Sequence, residues 1–388
     1  MLKITKSGSP RRRGWLLVLV TAGLGWMVAG AGADATQDGY VQTNLVANWE
    51  GHKPQIIEPD LLNAWGISLR PAGAGGHWWI TANGSGKSLE YVGDVPGTPL
   101  FQDDLKEVTI PHPNGEQGTP TGTVFNERGA GFVITQQHAA GPITAPAKFL
   151  FATDGGVVTA WTERLKADGS FDRPTESVIV FDRSEQGGQF FGMAISPAND
   201  RLYLADFGTT PGMVVLDDRF QPVADAGFAS PFPPEYAPFN VQTVGQSVFV
   251  AYAVWGTAGE EEPAPGAGKL AEFTPDGTLV ATWEGGLYLN APWGITLAPA
   301  EGFGPHSGKL LVSNFGDGTI AVLDPATRTA VDFLRRPDGV RIEIDGIWAL
   351  TVGNGVSLGR ADAVYFAAGP GSELDGIFGR LTYGEPAG

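Results

Sequence analysis

Asn290-Ala291-Pro292-Trp293-Gly294-Ile295-Thr296-Leu297 decides the fold: a polar residue, small or aromatic residues, glycine, then an alternating apolar strand, an order that recurs along the chain. Asn63-Ala64-Trp65-Gly66-Ile67-Ser68 and Gln189-Phe190-Phe191-Gly192-Met193-Ala194-Ile195 are close copies, and weaker ones start at Thr119, Tyr236 and Asp345. Gly66, Gly122, Gly192, Asn240, Gly294 and Trp348 align as equivalent positions about 50 to 70 residues apart, a spacing suited to propeller blades. Six copies predict six blades. A second apolar strand follows each copy, around Trp79, Val133, Tyr203, Phe249, Leu311 and Tyr365. Third strands are read in Lys148–Gly156, Lys269–Val280 and Gly318–Val331, with Asp154-Gly155, Asp276-Gly277 and Asp324-Pro325 as hairpin turns into an outer fourth strand. Each blade is therefore expected to be a four-stranded antiparallel meander. The long interval from Gly122 to Gly192 leaves room for an inserted strand.

The last blade runs out of chain after Tyr383, while Tyr40–Val46 is a strand with no blade of its own. Pairing the two would close the ring and remove an open sheet edge. The expectation is an all-β, six-bladed β-propeller over residues 44–383, closed by an N-terminal strand that begins in the extension 34–43, with a tail at 384–388. Residues 1–33 read as a signal peptide: Lys3, Lys6 and Arg11 to Arg13, an apolar run from Trp15 to about Ala31, and Ala31-Gly32-Ala33 as a small-residue cleavage site. An uncleaved anchor is the other reading of that run. Arg12-Arg13 is a weak twin-arginine match that does not choose the export route.

Cleavage after residue 33 would remove five positive charges and no negative one, moving the net charge from -17 to -22 (20 Lys and Arg against 42 Asp and Glu). A domain so acidic lacks the basic face that nucleic acid or anionic lipid needs, so neither is expected as a partner, nor is a membrane after cleavage. The chain has no cysteine, which excludes disulfides, thiolate catalysis and cysteine-ligated metals. The core alone must hold the fold.

The N-x-P-x-G-I pattern followed by a strand ending in a small residue and Asp or Asn resembles the NHL-type propeller repeat. Over nearly the whole mature chain, Leu62-Asn63-Ala64-Trp65-Gly66-Ile67, Gly122–Asn126, Lys148–Trp161 and Tyr365–Leu381 are similar to an uncharacterised family of exported bacterial propellers. Some members of that family end in a sorting tail of the PEP-CTERM type; here Gly384-Glu385-Pro386-Ala387-Gly388 has no apolar stretch. The resemblance implies the fold and export as a soluble periplasmic or extracellular protein, expected to be a monomer, and it implies no activity.

The first residues of a propeller's inner strands ring one mouth of its channel. The repeat places Asn63, Thr119, Gln189, Tyr236, Asn290 and Asp345 on that ring, with Asn83, Gln136, Asp206, Tyr252 and Asn314 at second-strand ends near one face. These are candidates for holding a small polar ligand, a glycan or a protein partner. They also suit a hard cation such as Ca²⁺, for which Asp345 and Asp206 would supply the charge. The alternative role is structural, with polar residues capping strand ends between blades. A metal-assisted hydrolase or lyase of the gluconolactonase and paraoxonase kind is the competing functional reading, although no glutamate falls on the predicted ring. His52, His77, His112, His138 and His306 show no metal-ligand spacing. Gly84–Ser88 lacks the first glycine of a phosphate loop, and no G-x-S-x-G elbow occurs. Glu260-Glu261-Glu262 reads as a solvated loop, and Trp255 before it as either a stacking platform or a cover for the core.

Overall fold

The computed structural model describes residues 38–256 and 259–384. The expected signal peptide and residues 385–388 of the tail lie outside the described residues. Six antiparallel sheets form six blades, whose inner strands are Ala64–Leu69, Pro120–Phe125, Phe190–Ile195, Tyr236–Val244, Pro292–Leu297 and Ile347–Val352 in blades 1 to 6. Blade 6 is completed by Gly39–Ala47, which pairs antiparallel with Ile377–Gly384 and sets Thr43 opposite Arg380. The short strand Ile56–Ile57 adds a further, parallel neighbour. The ring thus closes by hydrogen bonds between the two ends of the folded chain.

Blade 2 differs from the sequence reading. Its second strand is Phe149–Thr153, and Val133–Gln136 instead pairs with Ile143–Pro146 in a separate hairpin. The long interval holds an inserted hairpin, so Asp154-Gly155 turns between the second and third strands and not into a fourth. Blade 3 has three strands, not four. Its third strand, Gly212–Asp217, is followed by a stretch with prolines at 222, 231, 233 and 234. Proline lacks the N–H a ladder needs, and only a single bridge from Leu216 to Pro222 forms.

Why the repeat carries glycine is visible at the seams between blades. A Cβ on Gly66 would lie 2.3 Å from the carbonyl oxygen of Thr121, and one on Gly294 would lie 2.5 Å from that of Trp348. Neighbouring inner strands approach too closely for a side chain. Because Gly294 faces residues 348 to 350, its counterpart in blade 6 is Ala349; the alignment on Trp348 was one residue early. In blade 4, Asn240 takes the position and uses its amide to donate to the Trp293 carbonyl at 2.7 Å. A hydroxyl on the second strand completes the seam. Thr81 accepts from Gly66 N–H at 2.7 Å and donates to Thr121 O at 2.6 Å, and Ser313 likewise accepts from Gly294 N–H and donates to Trp348 O. Each such hook satisfies groups that no ladder reaches.

The residue before the glycine points inward, and it is aromatic in five blades: Trp65, Phe191, Phe239, Trp293 and Trp348. Their rings meet across the axis. Trp65 stacks on Trp348 at 3.7 Å and 11°, and also lies 5.7 Å from Phe191 and 6.4 Å from Trp293. Phe239 lies 5.9 Å from Trp348. Blade 2 contributes Thr121, whose hydroxyl is taken up by Phe190 O. This aromatic layer fills the centre of the ring and leaves a depression on each side of it. The upper face is the one on which the inner strands begin, and the lower face the one on which they end.

Candidate functional site

The turns between second and third strands all open on the upper face, and in blade after blade they bring a carboxylate to its rim. Asp154 does so in blade 2, Glu260 and Glu261 in blade 4, Asp317 in blade 5 and Glu373 in blade 6, while Asp206 ends the second strand of blade 3. Three blades are tied together by one chain of hydrogen bonds. Glu373 accepts from Asn63 Nδ2 at 2.7 Å, Asn63 also meets Asn83 at 3.5 Å, and Asn83 Nδ2 donates to Asp154 Oδ2 at 2.9 Å. Thr119 Oγ1 donates to the other Asp154 oxygen. Trp348 Nε1 fixes Asn63 from below by donating to its Oδ1 at 2.9 Å. Asn63 holds a left-handed backbone (φ 47°), as do Ser372 and Glu373 (φ 58° and 65°), so the two sides of this contact are built from unusual turns.

Burial raises the pKa of Asp154 against the opposing bonds from Thr119 and Asn83. Burial likewise raises that of Glu373, helped by the negative charges of Asp154 and Glu260. Glu261 is pushed up to about 7 by burial, with Glu373 and Glu260 adding to the effect. Glu261 is thus no solvated excursion: it is half-buried and bridges in strand fashion to Trp255. Burial first, and for Glu373 and Glu261 like charge as well, disfavours the ionised form of these carboxyl groups.

Next to Asp154 the upper face opens into a pocket of ≈ 670 Å³ across blades 2, 3 and 4. His112, Asp154, Gln189, Thr209 and Trp255 line it, over a floor of glycines at 155, 187, 188, 208 and 259. The floor is bare because the backbone is crowded: a Cβ on Gly208 would lie 2.2 Å from Gly187 O. Trp255 is anchored through Nε1 to Phe207 O at 3.0 Å, which leaves its indole as a wall. Among the described residues, no group hydrogen-bonds the Gln189 side-chain amide. Its volume falls in the range of small-molecule sites.

The predicted ring is only partly brought together. Asn63, Thr119 and Asn83 share the Asp154 network, and Gln189 lines the pocket. Asp206 is buried, accepts from Gln189 N–H and Gly208 N–H, and pairs with Arg183 at 3.2 Å, while burial raises its pKa. Asn290 donates to Asp317 at 3.0 Å, and Asn314 is buried, receiving Asn290 N–H and donating to Tyr288 O. Tyr236 stands apart under Lys269, and Asp345 is exposed and accepts from Gly371 N–H. Gln136 lies on the inserted hairpin, away from the second-strand end where it was expected, because Thr153 ends the true second strand of blade 2. Among the described residues, no three His, Asp or Glu side chains are grouped to hold a metal ion. Of the two carboxylates expected to charge a Ca²⁺ site, Asp206 is taken up by Arg183 and two backbone N–H groups, and Asp345 is exposed and accepts from Gly371 N–H. Sequence reasoning missed Asp154, Glu261, Asp317 and Glu373 as rim residues; their common signal is an acid within a few residues after a second strand.

Three curated proteins, all from Acanthamoeba polyphaga mimivirus, match the chain. Uncharacterized protein R648 is 30% identical over 332 residues, covering 84% of this chain and 76% of its own length. Uncharacterized protein L690 is 29% identical over 341 residues, covering 84% and 81% respectively. These relatives are viral, where the sequence reading pointed to a bacterial family. No family model matches. Among solved structures, a streptogramin B lyase is similar over 89% of this chain and 98% of its own, at 13% identity and a TM-score of 0.46. A structural genomics protein of unknown function from Bacteroides thetaiotaomicron is similar over 90% and 74%, at 13% identity and 0.48. Likenesses this distant imply nothing about activity.

Proposed function

The chain belongs to the family of the mimivirus protein R648, and we propose that it is a binding protein whose upper pocket holds a small polar ligand rich in hydrogen-bond donors. One observation carries this reading: the pocket joins a flat indole, Trp255, and an unused amide, Gln189, to the carboxyl group of Asp154 and the hydroxyls of Ser184 and Thr209. Carboxylates and amide oxygens favour hydroxyl or ammonium groups on the ligand. The bare glycine floor lets such a ligand approach the backbone.

A thermal-shift screen of small polyols and amines tests it, since a ligand that binds the native state must raise the melting temperature. Thr209→Trp should fill the pocket and abolish the shift, read against the variant's own melt because it also loses the bonds from Thr209 Oγ1 to the Gln186 and Gly187 carbonyls. A ligand whose shift survives Thr209→Trp would place binding elsewhere and sink the proposal. We further propose that residues 1–33 direct export to the periplasm or the exterior and are then removed, and that the product is a monomer. Among the described residues no helix is long and apolar enough to cross a membrane. Intact-mass analysis of the protein recovered outside the cytoplasm should show a chain beginning at Asp34; a retained leader would refute cleavage.

A further inference from the structure

The lower depression has a character of its own. It is a funnel of ≈ 690 Å³ on the axis, lined by the ends of the inner strands of blades 1, 2, 3, 4 and 6 and by the loops that follow them. Its lining starts two or three residues past the aromatic layer, at Ile67, Thr123, Ala194, Gln242 and Thr351, so the underside of that layer is its floor. Nothing of the upper pocket reaches it.

The chemistry of the two sites differs. Only Arg70 and Glu127 are charged in the funnel wall. Arg70 is committed, with Nη2 on Glu163 at 2.5 Å and its guanidinium over the rings of Phe125 and Phe149 at 5.6 and 5.8 Å. Ser68 and Thr123 bond each other at 3.1 Å, and Thr243 is taken up by Ile195 O. Gln242, Gln246 and Thr351, by contrast, make no side-chain hydrogen bond among the described residues, although all three line the funnel. An amide or hydroxyl both donates and accepts, and so does each hydroxyl of a sugar; an anionic ligand would find the one guanidinium already paired with Glu163, and the one carboxylate, Glu127, stands exposed on the loop after the blade 2 inner strand. Ile67, Leu69 and Val352 supply apolar wall between these polar groups, the mixture that small-ligand sites show.

We infer that the lower funnel is a second ligand site, for a neutral oligosaccharide, in which Gln242, Gln246 and Thr351 exchange hydrogen bonds with sugar hydroxyls. The site is independent of the upper pocket, because the aromatic layer separates them.

Isothermal titration of the full-length mature protein with maltotriose, cellotriose and N,N′-diacetylchitobiose tests this, with glucuronate and spermidine as charged comparisons. At least one neutral sugar should bind, and neither charged compound should compete with it. The double variant Gln242→Ala, Gln246→Ala should weaken that sugar about tenfold, the equivalent of about 1.4 kcal/mol. Thr351→Val should weaken it too, by loss of the hydroxyl alone. Both variants must melt with the wild type, since these groups hold nothing in the fold. Thr209→Trp, which blocks the upper pocket, should leave the sugar untouched. Failure of all three sugars to bind, binding indifferent to the lower variants, or binding lost only in Thr209→Trp would each overturn the inference. The last outcome would move the sugar to the upper pocket and support that site instead.

Discussion

The two mouths of the ring are formed by opposite ends of the same inner strands, yet they offer a ligand nearly opposite surroundings. Above, the rim gathers Asp154, Glu260, Glu261, Asp317 and Glu373, with Arg183 committed to Asp206. Below, the wall is amide, hydroxyl and aliphatic, with its one cation already paired. The repeat governs what lies between them: the glycine, the ring before it and the hydroxyl hook. Where the repeat stops prescribing residues, the two faces become free to differ.

The contrast depends on the partition, and removing the partition should have the largest effect. Trp348→Ala takes away the ring that stacks on Trp65 and also the donor that holds Asn63, and should cost about 3 to 5 kcal/mol in urea unfolding. A loss under 1 kcal/mol would mean that the layer does not bear on stability.

Protons should separate the mouths next. A carboxyl with a raised folded pKa keeps its proton after the unfolded chain has lost it. Stability is thus fully present below pH 4.5 and falls as pH rises through the folded value, for Glu261 from 4.5 to about 7. Glu261→Gln should flatten that decline, by up to about 1.4 kcal/mol for each pH unit. Glu90 is the control away from both mouths. It is wholly buried between blades 1 and 2 with no hydrogen bond to either carboxyl oxygen among the described residues, and burial holds its pKa well up. Glu90→Gln should flatten a decline of the same sign, one that owes nothing to either mouth. If the Glu261 variant keeps the wild-type profile between pH 4.5 and 7, the upper rim is not proton-laden.

A smaller change is expected of the hook that both mouths share. Ser313→Ala strands Gly294 N–H and Trp348 O, and should lower stability by about 1 to 3 kcal/mol, measured by chemical denaturation. Thr81→Ala should do the same at the seam of blades 1 and 2. Least of all, Gln246→Ala should move stability by less than about 0.5 kcal/mol, as befits an exposed residue that bonds nothing. A larger loss would show that the lower wall is structural.

Much of the ring was legible because close packing leaves one solution at the seams. A glycine that cannot bear a Cβ and a ring that must fill the axis recur visibly as Trp65-Gly66 and Trp293-Gly294. Blade 2 was misread at Val133–Gln136, since alternating apolar residues look alike in an inserted hairpin and in a blade strand. Blade 6 slipped by one because Ala349 is small enough to replace glycine while Trp348 is more conspicuous. The upper rim was half visible. Asn63, Thr119 and Gln189 sit at fixed places in the repeat, whereas Glu373 and Asp154 approach them from turns of other blades. That approach is set by turn geometry, such as the left-handed Ser372 and Glu373, which periodicity does not report.

The pairing of Gly39–Ala47 with Ile377–Gly384 also governs how the protein comes into being. The first strand of the ring to be synthesised has to wait, unpaired, for the last, so the final cooperative step joins residues as distant in sequence as the folded chain allows. Such contacts slow folding and leave a sheet edge open to aggregation while they are missing. Topologically the protein is an open necklace fastened by a clasp. A circular permutant that links Gly384 to Gly39 and opens the chain at the hairpin turn Gly245 should keep the same ring, with the clasp moved to blade 4.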